Sequence, residues 1–193
     1  MRAFLAVDFS KEMKDGIAAI QSELRQFAVS GRWKYIDNFH LTLKFLDEVD
    51  ERKKTDICNA MKEVCFGKAC FNLHISQLGS FPGLNCYRVL WLGLDGELER
   101  LRELQKEIDK GFSSLGFQIE DRSYTPHVTI AQDVVFRKSF DDIRKTVDFK
   151  DFPIVHIDRL YLFKSEQIGV KRVYTPVSEF KFCCEEGKKS SEV

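Results

Sequence analysis

The chain has 193 residues, of which 44% are hydrophobic and 17 are Phe, so it can bury a sizeable core as one domain or two closely packed lobes. Its 30 Lys and Arg residues balance its 30 Asp and Glu residues, which excludes recruitment of long nucleic acid by an overall positive charge. No apolar run approaches the roughly 20 residues that a membrane-spanning helix needs.

The first half of the chain predicts strands and helices in alternation. The expected elements are a buried strand at 2–9, a helix from an N-cap at Ser10 to about Phe27, a strand at 39–46, a helix opened by the charged stretch 47–54, and a strand at 71–76. Turn residues at 79–83 then separate this half from the next.

The second half repeats this order. The expected elements are a strand at 88–95, a helix with an apolar stripe over 98–108, a strand at 125–131, a short helix at about 139–147, a strand at 154–157, and further strands at 160–165 and 173–182. Three pairs of landmarks lie 86, 87 and 82 positions apart: Arg2 and Arg88, His40 and His127, His74 and His156. Such spacing indicates an internal duplication.

The predicted fold is therefore α+β and bilobal, a duplicated unit with two antiparallel sheets that face a central cleft and helices outside. Residues 1–182 are expected to form this single domain, with intertwined lobes and a repeat boundary near 84–87. The polar segment 183–193 is expected to be disordered.

The chain has six cysteines but no C-x-x-C pair, and its N-terminus does not resemble a signal peptide. Both features indicate the cellular compartment. Disulfides are rare in the cytosol, so we expect reduced thiols and a cytoplasmic location.

Two His-x-Thr units are the chemical centre of the chain. In the first, apolar Phe39, Leu41, Leu43 and Phe45 alternate with His40, Thr42 and Lys44, which is the period of a half-buried strand. In the second, His127 and Thr129 alternate with Val128 and Ile130. Each strand therefore presents an imidazole and a hydroxyl to the same side, roughly 7 Å apart.

This pattern favours acid-base chemistry at phosphorus. Histidine titrates close to working pH, so one neutral and one protonated copy can serve as base and acid in an in-line displacement. Thr42 and Thr129 can donate hydrogen bonds to the phosphate oxygens. His74 and His156 lack Cys or carboxylate neighbours at ligand spacing, so we interpret them as structural and expect neither a metal nor a cofactor.

The residues that carry a family resemblance are three segments: Asn38-Phe39-His40-Leu41-Thr42-Leu43-Lys44-Phe45-Leu46, Arg88-Val89-Leu90-Trp91, and Arg122-Ser123-Tyr124-Thr125-Pro126-His127-Val128-Thr129-Ile130-Ala131. The chain closely resembles the 2H phosphoesterase superfamily, specifically the RNA 2′,3′-cyclic phosphodiesterases once called 2′-5′ RNA ligases. The resemblance covers residues 2 to about 182.

The resemblance implies a bilobal fold and metal-independent opening of a 2′,3′-cyclic phosphate at an RNA end, leaving a 2′-phosphate. It implies His40 as the proton donor to the leaving 3′ oxygen and His127 as the base that activates water. Relatives usually have Arg after the second motif's Ala, where this chain has Gln132. We expect RNA ends or oligonucleotides with a cyclic phosphate as partners, no membrane, and a monomer.

Four further residues are candidates for substrate binding. Arg122, five positions before His127, suits a bidentate phosphate clamp. Tyr35, Phe9 and Tyr124 can stack on a nucleobase.

Two alternatives stay open from the sequence. The same acid-base pair could cleave 2′-5′ phosphodiester linkages or run 2′-5′ ligation. A non-catalytic RNA-end or nucleotide-binding module could keep the fold without turnover, although binding alone needs no matched histidine pair.

Overall fold

The computed structural model describes residues 1–182, which form the elements that follow. In chain order they are β1 (Arg2–Asp8), α1 (Lys11–Arg25), β2 (Ala28–Trp33), β3 (His40–Glu48), α2 (Lys54–Cys65), β4 (Phe71–Pro82), β5 (Tyr87–Gly96), α3 (Leu98–Ser113), β6 (His127–Phe136), α4 (Phe140–Arg144), β7 (Val155–Ile157), β8 (Arg159–Ile168) and β9 (Lys171–Lys181). Single 3₁₀ turns at Ile36–Asn38 and Glu51–Lys53 precede β3 and α2.

The strands form two antiparallel sheets, one of four strands in the order β3-β1-β8-β9 and one of five in the order β2-β6-β5-β4-β7. The apolar faces of α1, α2 and α3 are buried in a core that both sheets share. Ser10 caps α1, its hydroxyl accepting from the Met13 N–H. This confirms the predicted α+β fold with two antiparallel sheets.

The two sheets do not correspond to the two halves of the chain. β4 of the first half joins the sheet that contains β5 and β6, and β8 of the second half joins the sheet that contains β1 and β3, so that β4 pairs with β5 and β8 pairs with β1. The equivalence inferred from His74 and His156 is therefore wrong, because β7 pairs with β4 itself and places Asn72 opposite His156. β8, not β7, is the counterpart of β4.

A β-bulge in each motif strand changes the faces of the residues that follow. Leu5 and Ala6 of β1 pair with Lys44 and Thr42, so Leu43 is an extra residue in β3. Lys44 is consequently buried, at 5% exposure, and Phe45 is 68% exposed on the cleft side. The predicted alternation was wrong beyond this point, since it had placed Lys44 on the polar face and Phe45 on the apolar face.

The bulge of β6 lies at the matching place. Leu90 and Trp91 pair with Ala131 and Thr129, which leaves Ile130 as the extra residue. Ala131 is thereby buried and Gln132 lines the cleft. Phe45 and Gln132, each five positions after its histidine, therefore occupy equivalent places in the two motifs.

Three elements differ from the sequence-based expectation. β4 runs to Pro82, so the turn predicted at 79–83 is wrong, because these residues pair with β5. β2 was not predicted, because Ala28–Trp33 contains Ser, Gly and Arg with no apolar alternation and becomes a strand by pairing with β6. α4 ends at Arg144, earlier than the predicted helix to about residue 147.

A buried polar network joins β3 to α3. The Lys44 ammonium donates to Asp109 Oδ1, and to the Gln118 carbonyl at 2.8 Å, while Gln105 Nε2 donates to Asp109 Oδ2 at 2.7 Å. The Lys44 and Asp109 side chains are 3% and 8% exposed. The burial cost of each charge is offset only as long as its partner is present.

We expect Lys44→Met to destabilise the fold by about 3–5 kcal/mol, because it leaves the Asp109 carboxylate buried without its cation. Urea unfolding measures this cost, with Lys11→Met as the matched control at a pair exposed on α1. Replacing both partners, Lys44→Met with Asp109→Leu, should recover most of the loss. A single variant as stable as the Lys11→Met control would contradict the assignment.

Cys70 is disulfide-bonded, which corrects the expectation that every thiol is reduced. The expectation of a disordered tail at 183–193 lies outside the described residues. None of the helices within residues 1–182 has both the length and the apolar character required to cross a membrane.

Candidate active site

The two motif histidines are held in the same way. His40 Nδ1 lies 2.8 Å from the carbonyl oxygen of Asn38, and His127 Nδ1 lies 2.7 Å from that of Thr125. A carbonyl oxygen can only accept, so each Nδ1 carries the hydrogen and donates it. This leaves Nε2 of each ring as the atom that can take or give a proton.

Aromatic rings surround both imidazoles. Phe4 and Tyr174 lie 4.8 and 5.2 Å from the His40 ring, the tyrosine edge-on. Phe81 meets the His127 ring edge-on at 5.3 Å, and Trp91 lies 6.1 Å from it. These contacts restrict the rotation of both rings, as a site built for one geometry requires.

Burial lowers the pKa of both histidines. Burial is the largest cause that lowers the pKa of His40 to about 4; the Asn38 carbonyl and Asp8 oppose this shift, and Lys34 and Lys14 add to it. The pKa of His127 is also lowered, again by burial, and its hydrogen bond to Thr125 opposes the shift. Both imidazoles are therefore neutral at pH 7 in the cleft without substrate.

The cleft is a cavity of about 360 Å³ between the sheets, in the range of small-molecule sites. Its polar and charged lining residues are Arg2, Lys34, Asn38, His40, Thr42, His127, Thr129, Gln132, Ser165, Arg172 and Tyr174. Three of these are cations and none is a carboxylate. In a chain of zero formal charge, such a lining makes the cleft locally positive, which favours an anion there.

The threonines of the motifs lie beside the histidines. Thr42 and Thr129 both line the cavity, and neither hydroxyl donates to another of the residues in the described range. Both are therefore available to bind phosphate oxygens. The structure brings the four predicted catalytic residues together in one cleft.

The four predicted substrate-binding residues lie elsewhere. Phe9 is 7% exposed in the hydrophobic core, so a stacking role for it is wrong. Tyr35 is 47% exposed, with Lys171 Nζ 4.7 Å above its ring, and does not line the cavity. Arg122 and Tyr124 line a neighbouring groove of about 310 Å³ that includes Thr42 and His127.

Tyr124 has a structural position. Its hydroxyl donates to the Thr42 carbonyl at 2.8 Å and so ties the loop before β6 to the first motif. Burial raises its pKa. Arg122 is exposed and pairs with Glu120 at 3.4 Å, which leaves its guanidinium at the rim of the groove.

Sequence reasoning missed three residues that shape the cleft. Asn38 is buried, donates from Nδ2 to the Arg172 carbonyl at 2.8 Å, and offers its own carbonyl to His40. It thereby positions the His40 imidazole and holds β9 over the cleft. Lys34 lies in the connection between β2 and β3, Arg172 lies in β9, and no local pattern marks either as a cleft residue.

Metal-ligand clusters are not found in the described range. Within residues 1–182, no group of three or more His, Cys, Asp or Glu side chains lies close enough to hold one metal ion.

Solved structures share this fold. A protein of Thermus thermophilus, TT0787, superposes with a TM-score of 0.75 at 24% identity, covering 96% of this chain and 100% of that one. LigT of E. coli in its apo form gives a TM-score of 0.76 at 23% identity, covering 94% and 96%. The chain thus has the two-sheet architecture of these proteins.

The sequence comparisons give the family. The model of the LigT like Phosphoesterase family matches twice, over residues 7–91 and 92–174. An RNA 2′,3′-cyclic phosphodiesterase of Methanocaldococcus jannaschii is 35% identical over 186 residues, covering 93% of this chain and 100% of the relative. One of Thermotoga maritima is 29% identical, covering 94% and 96%. The chain belongs to the LigT-like phosphoesterase family, which confirms the resemblance inferred from the two motifs.

Proposed function

We propose that this phosphoesterase hydrolyses 2′,3′-cyclic phosphates on RNA ends or small nucleotides to 2′-phosphomonoesters, with two imidazoles as acid and base and no metal. The observation that carries the proposal is the pair of identically held histidines in one cation-lined cleft. The names of the relatives from M. jannaschii and T. maritima support the same substrate class.

The proposed reaction is a single in-line displacement. A water oxygen attacks phosphorus as one neutral imidazole takes its proton at Nε2. The bond from phosphorus to the 3′ oxygen breaks, and the second imidazole, protonated at Nε2, gives that oxygen a proton. The 2′ oxygen keeps the phosphate. Thr42 and Thr129 donate to the non-bridging oxygens, whose charge increases in the transition state.

The family resemblance assigns the acid to His40 and the base to His127. With a pKa of about 4 in the empty cleft, His40 is rarely protonated at pH 7, so this assignment requires the bound anion to raise its pKa. A phosphate within hydrogen-bonding distance of Nε2 has this effect because it stabilises the imidazolium. The opposite assignment, with His127 as acid, also requires the bound anion to raise a pKa that burial lowers.

A substrate panel tests the proposal. We expect turnover of 2′,3′-cyclic mononucleotides and of oligonucleotides with a cyclic phosphate end, with a 2′-phosphate as product by phosphorus NMR. The rate should persist in excess EDTA, because neither proton transfer uses a metal. Exclusive cleavage of 2′-5′ oligoadenylate would favour the alternative phosphodiesterase, and binding of cyclic ends without turnover would favour a non-catalytic module.

A further inference from the structure

The backbone of Lys34 links the segment before the first motif to the strand of the second motif. Its N–H donates to the Ile130 carbonyl at 2.9 Å, and its own carbonyl accepts from Gln21 Nε2 at 2.8 Å. Gln21 is buried on α1 and also donates to the Ile130 carbonyl. The main chain of Lys34 is therefore fixed to the bulge of β6, which aims its side chain into the cleft from the connection that leads to His40.

The Lys34 ammonium is half-buried without a counter-charge. No carboxylate of residues 1–182 lies within 4.0 Å of its Nζ, whereas Arg32, two positions earlier, pairs with Asp133 at the surface. Burial is the main cause that lowers the pKa of Lys34, and the charges of Arg32 and Arg172 lower it further. Desolvating an unpaired cation costs free energy, which an anion in the cleft would recover.

Gln132 is the partner that Lys34 does have. Lys34 Nζ donates to Gln132 Oε1 at 3.4 Å, and both side chains line the cavity with the two histidines. With its oxygen turned to Lys34, the amide keeps its two N–H donors for another acceptor. The Gln132 amide on β6 carries no charge. The positive charge on this side of the cleft therefore comes from Lys34.

We propose that Lys34 and Gln132 form one phosphate-binding unit, in which the Lys34 ammonium contacts a non-bridging oxygen of the substrate and the Gln132 amide donates a second hydrogen bond. This inference rests on the proposed function, since it names the group that holds the reacting phosphate. The positive charge that binds the phosphate then lies in the connection before β3, and not on β6, the strand of the second motif. Lys34 is thus a specificity-determining residue for an anionic substrate.

The test compares Lys34→Met with Arg32→Met. Both variants remove one positive charge, and methionine keeps most of the aliphatic packing. For Lys34→Met we expect roughly 10- to 100-fold weaker binding of inorganic phosphate and of a 2′-phosphorylated nucleotide by calorimetry, with a similar loss in kcat/KM, because a hydrogen bond to a charged group is removed. Arg32→Met should stay within about threefold of the parent.

A double variant that moves the positive charge from position 34 to position 132 gives a second test. In Lys34→Met with Gln132→Arg, a guanidinium starts from the position of the amide, 3.4 Å from where the ammonium was, and should recover most of the phosphate affinity. A purely structural role for Lys34 would not be rescued in this way. Thermal unfolding of each variant, with Lys34→Gln as a second substitution, separates lost binding from lost folding.

The outcomes separate the two claims. Phosphate affinity in Lys34→Met equal to that of Arg32→Met overturns the binding unit, and if the parent still opens cyclic phosphates, the proposed function stands without it. A parent that binds phosphate through Lys34 yet opens no cyclic phosphate overturns the function and leaves the binding unit in place.

Discussion

Removing either cleft histidine should lower kcat by about 10²- to 10⁴-fold, the range for a positioned acid or base. We expect this for His40→Ala and for His127→Ala, because in the proposed reaction each Nε2 serves one of the two proton transfers. Each ring donates from Nδ1 to a backbone carbonyl, so we expect both variants to lose activity. Single-turnover hydrolysis of a 2′,3′-cyclic nucleotide measures the effect on the chemical step.

The double variant is the informative comparison. If the two imidazoles act in one displacement, losing both should cost much less than the product of the single losses, since groups that act as a unit are not additive. His156→Ala is a matched control: this histidine pairs with Asn72 on the surface, outside the cleft, and its loss should leave kcat unchanged. Near-normal turnover in both single variants would remove the two-histidine mechanism.

The pH profile should show both lowered pKa values. The reactive form of the free enzyme has one imidazolium and one neutral imidazole, which is most populated between the two pKa values. Both lie below the usual 6.5, that of His40 at about 4, so kcat/KM should rise as pH falls from 7 and decline again in more acidic solution. An optimum of kcat/KM above pH 7 would contradict the buried, desolvated state of the pair.

The assignment of acid and base follows from the leaving group. An aryl phosphodiester that releases nitrophenolate needs no proton on its leaving oxygen. Such a substrate should restore much of the activity of the variant that lacks the acid, and little of the variant that lacks the base. Rescue of His40→Ala supports the assignment drawn from the resemblance, and rescue of His127→Ala reverses it.

The grouping of the four motif residues in one cleft was predictable because it follows from local spacing. A period of two put His40 with Thr42, and His127 with Thr129, on one face of each strand, and the recurrence of the unit indicated a shared cleft. The β-bulges were not predictable from that period. An extra residue changes the face of every side chain that follows it, and so Phe45 reached the cleft while Lys44 entered the core.

The remainder of the site depends on contacts remote in sequence. Arg172 reaches the cleft because β8 and β9 join the sheet of β1, and the Asn38 side chain holds them there across 134 positions. Lys34 is positioned by Gln21 and by Ile130, which lies in the other half of the chain. Phe9 illustrates the converse error, since an aromatic residue at the end of a strand resembles a stacking residue until its burial is known.

A second large loss of activity is expected when the threonine hydroxyls of the cleft are removed. We expect Thr42→Val and Thr129→Val each to lower kcat by about 10²- to 10³-fold, as for one donor to a developing oxyanion. Valine keeps the shape and β-propensity of threonine, so the fold should be undisturbed at these half-buried, cavity-lining positions. Thr175→Val, at an exposed position of β9, is the control and should leave kcat unchanged.

The hydroxyls matter to catalysis only if they bind the transition state more strongly than the substrate. The losses should therefore appear in kcat, with KM changed little, and Thr→Ser at either position should keep most of the activity, because serine retains the donor. In Lys34→Met, by contrast, weaker phosphate binding should appear in KM as well. If Thr42→Val and Thr129→Val raise KM and leave kcat intact, the hydroxyls only position the substrate, and stabilisation of the transition state must come from the cations of the cleft.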